Sequence, residues 1–225
     1  MMTYLRRQGL RIGGFILLLI AYLSNSILLE FATKYASKNA GLANRFIGAM
    51  LIMVAAILVL YTWLYNRQLK RHNPRQFGHQ AFNRHRLGQL LLAFVLMLAV
   101  QIAWSQLISH HLLPMPTNQS ALDGQIQQLP FWNTVYGVVI APVFEEYLFR
   151  GFFFNFFFSK NSPWSNVFGV FVSGLIFGYL HTMTFSVTTL FYASLGWVLA
   201  GAYLYFKDIR YSIILHFVNN LWAVL

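Results

Sequence analysis

The chain has 225 residues, of which 58% are hydrophobic and only 9% charged, with a formal net charge of +11. Soluble domains hold roughly 25% charged residues, so a water-facing surface of this size is excluded and the long apolar runs read as membrane spans. The absence of cysteine removes disulfides, thiolate metal sites and a cysteine nucleophile, and a positive charge spread over connections points to anionic lipid rather than nucleic acid.

At about 20 residues per crossing, the apolar runs predict about seven spans, at 12–33, 46–65, 87–108, 131–158, 165–183, 187–206 and 211–225. The fold class is therefore all-α: a polytopic transmembrane helical bundle forming one membrane-embedded domain over 1–225. Within it, 1–130 holds generic spans and a basic loop, and 131–225 holds the polar motifs. The first span follows Arg6, Arg7 and Arg11 as a signal peptide would, but it lacks an A-x-A site and its apolar run continues through "AYLSNSILL", which predicts a retained helix. The 66–86 loop carries Arg67, Lys70, Arg71, Arg75, Arg84 and Arg86, whereas 109–130 carries no Lys or Arg. The positive-inside rule then puts 66–86 and the N-terminus in the cytoplasm, and the loop itself against anionic headgroups. His72, His79, His85, His110 and His111 match no metal-ligand spacing and read as solvated loop residues.

Ionisable residues inside spans are expensive and suggest function. That filter leaves Glu145, Glu146, Arg150, His181 and His216, accompanied by Asn219 and Asn220. Glu146 and Arg150 are i,i+4 and share a helix face, while Glu145 points about 100° away. One acid can thus be neutralised while the other is aimed elsewhere. Pro142, three residues before Glu145, removes a backbone hydrogen bond and can kink the helix there. Phe177 and His181 are i,i+4, as are His216 and Asn220. Gly174 and Gly178 form a G-x-x-x-G pair that admits a close helix neighbour, which would bring the His181 helix near the glutamate helix. Gly196 and Ala200 can do the same on the next span. A buried carboxylate can act as a general base, and a histidine and an amide can donate hydrogen bonds to an oxyanion. From the residues alone an enzyme, a transporter and a structural or interaction protein all stay open.

"EEYLFR" (145–150), "FGYLH" (177–181) and "HFVNN" (216–220) together resemble the CAAX-protease and bacteriocin-processing (CPBP or Abi) family of intramembrane proteases, whose pattern is E-E-x-x-x-R, F-x-x-x-H and H-x-x-x-N on successive spans. The resemblance covers about 131–225. It implies Glu145 as the catalytic glutamate that activates water, His181 as its helper, and His216 with Asn220 as the oxyanion site. Glu146 and Arg150 would be a supporting pair, with Phe177 packed beside His181. It implies a peptide or membrane-protein substrate in an integral membrane protein of the bacterial plasma membrane, and a role in peptide processing or bacteriocin immunity. A non-catalytic immunity or peptide-binding protein is the alternative, followed by a small-solute transporter. No cofactor is favoured; a zinc, if present, would be held by Glu145, His181 and His216, a ligand set with precedent. Ideal straight spans place His181 near the outer end of one and His216 near the inner end of another, so a broken or re-entrant segment around 150–166 is expected.

Overall fold

The computed structural model describes residues 2–114 and 117–225, and the regular structure among them is helical throughout. In chain order the helices are α1 (Met2–Tyr35), α2 (Ala40–Arg71), α3 (Arg84–Ser109), α4 (Thr117–Gln128), α5 (Pro130–Val135), α6 (Ala141–Glu146), α7 (Phe153–Phe157), α8 (Pro163–Thr182), α9 (Val187–Phe206) and α10 (Ile209–Val224). Between α5 and α6, and between α6 and α7, the chain winds as π-helix, at Tyr136–Ile140 and Tyr147–Phe152. The all-helical expectation holds. Among the described residues, five helices are long and apolar enough to cross a membrane: α1 from Leu5, α2, α3, α8 and α9. The expected spans at 131–158 and 211–225 differ from uninterrupted helices of that kind. The first is divided by the two π segments, and α10 has only 16 residues. The loop 109–130, read as an outer connection, contains α4; Met115 and Pro116 lie outside the described residues.

The chain forms two compact units, residues 1–72 with 124–157, and residues 73–123 with 158–225. In the first, α1 turns into α2 through 36–39, where Asn39 caps α2 by accepting from the Leu42 N–H at 3.0 Å. One stripe of α1 is buried, with Leu18, Asn25, Leu29 and Ala32 at helical spacing. Leu29 packs with Met50, Tyr136 and Ala141. Asn133 ties α5 to α1 by donating to Thr33 Oγ1 at 3.0 Å. The Phe-rich stretch after Arg150 faces inward rather than toward lipid: Phe152, Phe153 and Phe154 are buried, and Phe15 packs edge-on against Phe153 and Phe157.

Pro142 explains the first π segment. It has no N–H to offer the carbonyl four residues back, and its ring needs room there. The preceding turn widens instead of breaking, and the Ala141 N–H reaches the Tyr136 carbonyl five residues back. The break expected over 150–166 is correspondingly smaller. The chain stays helical to Phe157 and restarts at Pro163, leaving only 158–162 irregular.

In the second unit, Leu90 and Met97 of α3 join Leu195, Leu199 and Phe206 of α9 and Tyr211 and Leu215 of α10 in one apolar core. The glycine pair on α8 does admit a close neighbour, and that neighbour is α9. A side chain at Gly178 would overlap the Thr189 carbonyl, one at Gly174 would overlap Trp197, and Gly196 of α9 faces Gly174. Small residues on both helices make this approach self-complementary.

The basic loop is a folded strap, not a solvated one. Gly78 N–H donates to the Lys207 carbonyl at 2.9 Å, Gln80 N–H to Asp208 Oδ2 at 2.7 Å, and Tyr211 hydroxyl to the Ala81 carbonyl at 2.8 Å. Phe77 stacks on Tyr203 and Phe82 on Tyr211. Arg75 is buried, donating to the Phe158 carbonyl, Ser165 and Asn166, so it is withdrawn from the headgroup role expected of the loop. Burial holds its guanidinium below its ordinary value, with Tyr203 opposing. Arg67, Lys70, Arg71 and Arg84 stay exposed, as do the five loop histidines.

Asp208 caps α10 and is gripped by Arg210 at 2.6 Å. Burial pushes its carboxyl up, but the Arg210 fork and the Gln80 and Arg210 N–H groups together outweigh it and hold it below its ordinary value. A depressed acid contributes stability above its unfolded pKa and loses that contribution as pH falls through its folded pKa. Replacing Asp208 by Asn should therefore lower the melting midpoint at neutral pH and flatten its fall below about pH 4, followed by thermal unfolding across pH. Gly178→Val should destabilise by about 1–3 kcal/mol through overpacking, whereas Gly13→Ala, with nothing within 4 Å of the new methyl, should leave the midpoint unchanged.

Candidate active site

The two adjacent glutamates do different things. Glu146 pairs with Arg150 at 3.0 Å, and neither side chain has any solvent exposure. Arg150 falls in the second π segment, so the i,i+4 pair bridges the junction between α6 and the wider winding. Glu145, one residue earlier and 8% exposed, turns to α1, where the Tyr22 hydroxyl donates to its Oε1 at 2.6 Å. Tyr22 stacks at a tilt on Phe144, and Tyr61 meets Phe144 edge-on while donating to the Leu18 carbonyl. Aromatic rings thus hold the acid helix against α1 and α2. The second π segment is braced in the same way, with Tyr147 hydrogen-bonded to Thr62 at 3.1 Å and packed edge-on against Tyr65.

Tyr22 was missed by reading the first 130 residues as generic. A signal was present: Tyr22, Asn25 and Ser26 stand at i, i+3 and i+4 inside an apolar run, which places three polar groups on one face. The same face carries fully buried Asn25.

The remaining motif residues gather in the second unit. Phe177 is their hub: its ring lies 4.3 Å from that of His181 and 5.7 Å from that of His216, between centroids. Tyr192 of α9 also stacks on the His181 ring, at 4.8 Å between centroids. The depth mismatch expected between the two histidines is therefore absent. Counting rise along straight axes left out the reach of the side chains: the Phe177 ring meets both histidine rings. His181 Nδ1 stands 2.8 Å from the Phe177 carbonyl. A carbonyl only accepts, so Nδ1 is the nitrogen that carries a proton there. His216 is 3% exposed. Asn220 lies one turn beyond it on the same face and accepts from Asn219 Nδ2 at 3.3 Å. Among the described residues, within neither unit do three His, Asp or Glu side chains come together as a metal site.

The Tyr22 contact can be read directly, because the chain contains only three glutamates, Glu30, Glu145 and Glu146. With carboxyl-labelled glutamate, isotope-edited infrared spectra should show one band that disappears in Glu145→Gln and shifts in Tyr22→Phe. An unshifted band would remove Tyr22 from the acid's surroundings.

Residues 127–222 match the Rce1-like family, described as type II CAAX prenyl endopeptidase Rce1-like. The matched stretch contains all three motifs, so the resemblance carried by "EEYLFR", "FGYLH" and "HFVNN" is borne out. The chain is also 27% identical over 137 residues to the UPF0177 protein YajF of Lactococcus lactis subsp. lactis (strain IL1403). That alignment covers 60% of this chain and 60% of the relative, so the chain spans about three fifths of the length of the curated protein it matches. No solved structure matches. Five spanning-length apolar helices and this family match together fit an integral membrane protein. Residues 127–222, under half of the chain, are thus similar to the Rce1-like family.

Proposed function

We propose that the chain is an intramembrane endopeptidase that hydrolyses a peptide bond with water activated by Glu145 and His181. The observation that carries this reading is the division of labour between the adjacent acids. Glu146 is committed to a buried cation, whereas Glu145 accepts from a neutral phenol. A buried carboxylate placed this way can serve as a general base.

In this mechanism Glu145 takes a proton from water while His181 Nε2 accepts that water's second O–H and orients it. The oxygen attacks the peptide carbonyl carbon, and the C=O electrons move onto oxygen. His216 and Asn220 donate N–H groups to that oxyanion. Its collapse breaks the C–N bond, and the leaving nitrogen takes the proton from Glu145, which restores the base. Glu146 and Arg150 hold the acid helix in register, and Phe177 keeps the two histidines apart. A zinc held by Glu145, His181 and His216 is the alternative source of activation.

The substrate class is a membrane-embedded peptide or the tail of a membrane protein, and the biological setting is peptide processing or bacteriocin immunity in a bacterial plasma membrane. The N-terminus is cytoplasmic, and exposed Arg67, Lys70, Arg71 and Arg84 meet anionic headgroups.

Purified full-length protein should cleave one member of a panel of prenylated C-terminal peptides and hydrophobic leader peptides. Glu145→Gln should reduce kcat on the order of 10²–10⁴-fold, the usual worth of a general base. Full activity in Glu145→Gln would contradict the mechanism. Loss on chelation with rescue by zinc would transfer the activation to the metal. A toxin-protection phenotype that survives Glu145→Ala, with no peptide cleaved, would favour binding without cleavage.

A further inference from the structure

Asn219 stands beside the H-x-x-x-N motif without belonging to it, and Gln101 lies on α3, outside the Rce1-like stretch. Both connect to Asn220. Gln101 Nε2 lies 3.5 Å from the Met97 carbonyl and donates to Asn219 Oδ1 at 2.9 Å. Asn219 Nδ2 then donates to Asn220 Oδ1 at 3.3 Å. Asn219 is 6% exposed, and the three amides are half-buried or buried.

The direction of this chain follows from chemistry. A backbone carbonyl can only accept, so the Gln101 atom facing Met97 is the nitrogen. Its other N–H must meet an oxygen, which turns Oδ1 of Asn219 toward α3. The Asn219 nitrogen is then on the far side, and it must meet an oxygen in turn. Asn220 therefore shows Oδ1 to Asn219 and carries its two N–H donors on the opposite side of the amide. A primary amide rotated by 180° would present an acceptor there, which repels a developing oxyanion instead of stabilising it.

We propose that Gln101 and Asn219 are positioning residues that set the polarity of the Asn220 amide, so that it faces the reacting carbonyl oxygen as a donor. This rests on the reading of Asn220 as half of the oxyanion site. It extends the functional constellation to α3 and gives Asn219 a task that the motif spacing does not assign.

The test uses full-length protein in lipid nanodiscs with ¹⁵N-asparagine, the Asn220 side-chain signal being identified by its loss in Asn220→Asp. Gln101→Met and Asn219→Leu should both move that signal, although Gln101 is two amides away. Both should lower kcat on the order of 10- to 100-fold, part of the loss expected for a missing oxyanion donor, with KM and the melting midpoint unchanged. An unmoved Asn220 signal in both variants would overturn the relay. A moved signal with unchanged kcat would overturn its positioning role. If wild-type protein cleaves no peptide, the endopeptidase reading fails, while the asparagine signal still decides whether the relay orders Asn220.

Discussion

Glu146 and Arg150 face each other at 3.0 Å with no solvent on either side chain, in a stretch where Tyr147–Phe152 is buried throughout. Removing two charges from water costs several kcal/mol per ion, and their mutual attraction repays this only in good geometry. The i,i+4 spacing supplies that geometry at the start of a π segment, where the backbone is already wound off its usual pitch. Arg150 is paired with Glu146, while Glu145 turns to Tyr22.

The surroundings follow from that division. Glu145 needs a partner that lowers the cost of its burial without cancelling its basicity, and a phenol does this: a hydrogen bond to a charged group contributes about 1.5–3 kcal/mol. Tyr22 comes from α1, which is itself pinned by Tyr61 at Leu18 and by Asn133 at Thr33. In the second unit the histidines are handled differently. His181 Nδ1 meets a backbone carbonyl, and its ring packs against Phe177 and Tyr192. The α8–α9 approach through Gly174, Gly178 and Gly196 brings Tyr192 within reach of that ring.

Much of this was legible from residue spacing. The 3.6-residue period alone separated Glu145 from Glu146 and paired Glu146 with Arg150, and it put His181 one turn from Phe177. Such i,i+4 relations survive folding because they are local to one helix. What escaped was relational. A glycine pair announces a close neighbour without naming it, and the contacts of Gly174 and Gly178 identify α9. Pro142 announces a missing hydrogen bond, but whether the helix breaks or widens depends on what packs around it. Arg75 reads as one more cation of a basic loop, yet it is turned inward by a carbonyl at Phe158 and by Asn166. Tyr22 and Gln101 lie in spans whose polar residues carry no motif, and only the fold reveals which long-range partner each one meets.

The most direct measurement compares the unfolding of Glu145→Gln and Glu146→Gln in the same detergent or nanodisc. Breaking a buried ion pair by removing one partner costs about 3–5 kcal/mol, because the other charge is left uncompensated. The predicted result is a large fall in the melting midpoint for Glu146→Gln and a small change for Glu145→Gln. The reverse order, with Glu145→Gln unfolding the protein and Glu146→Gln tolerated, would contradict the separation of a structural from a chemical glutamate on which the rest is built.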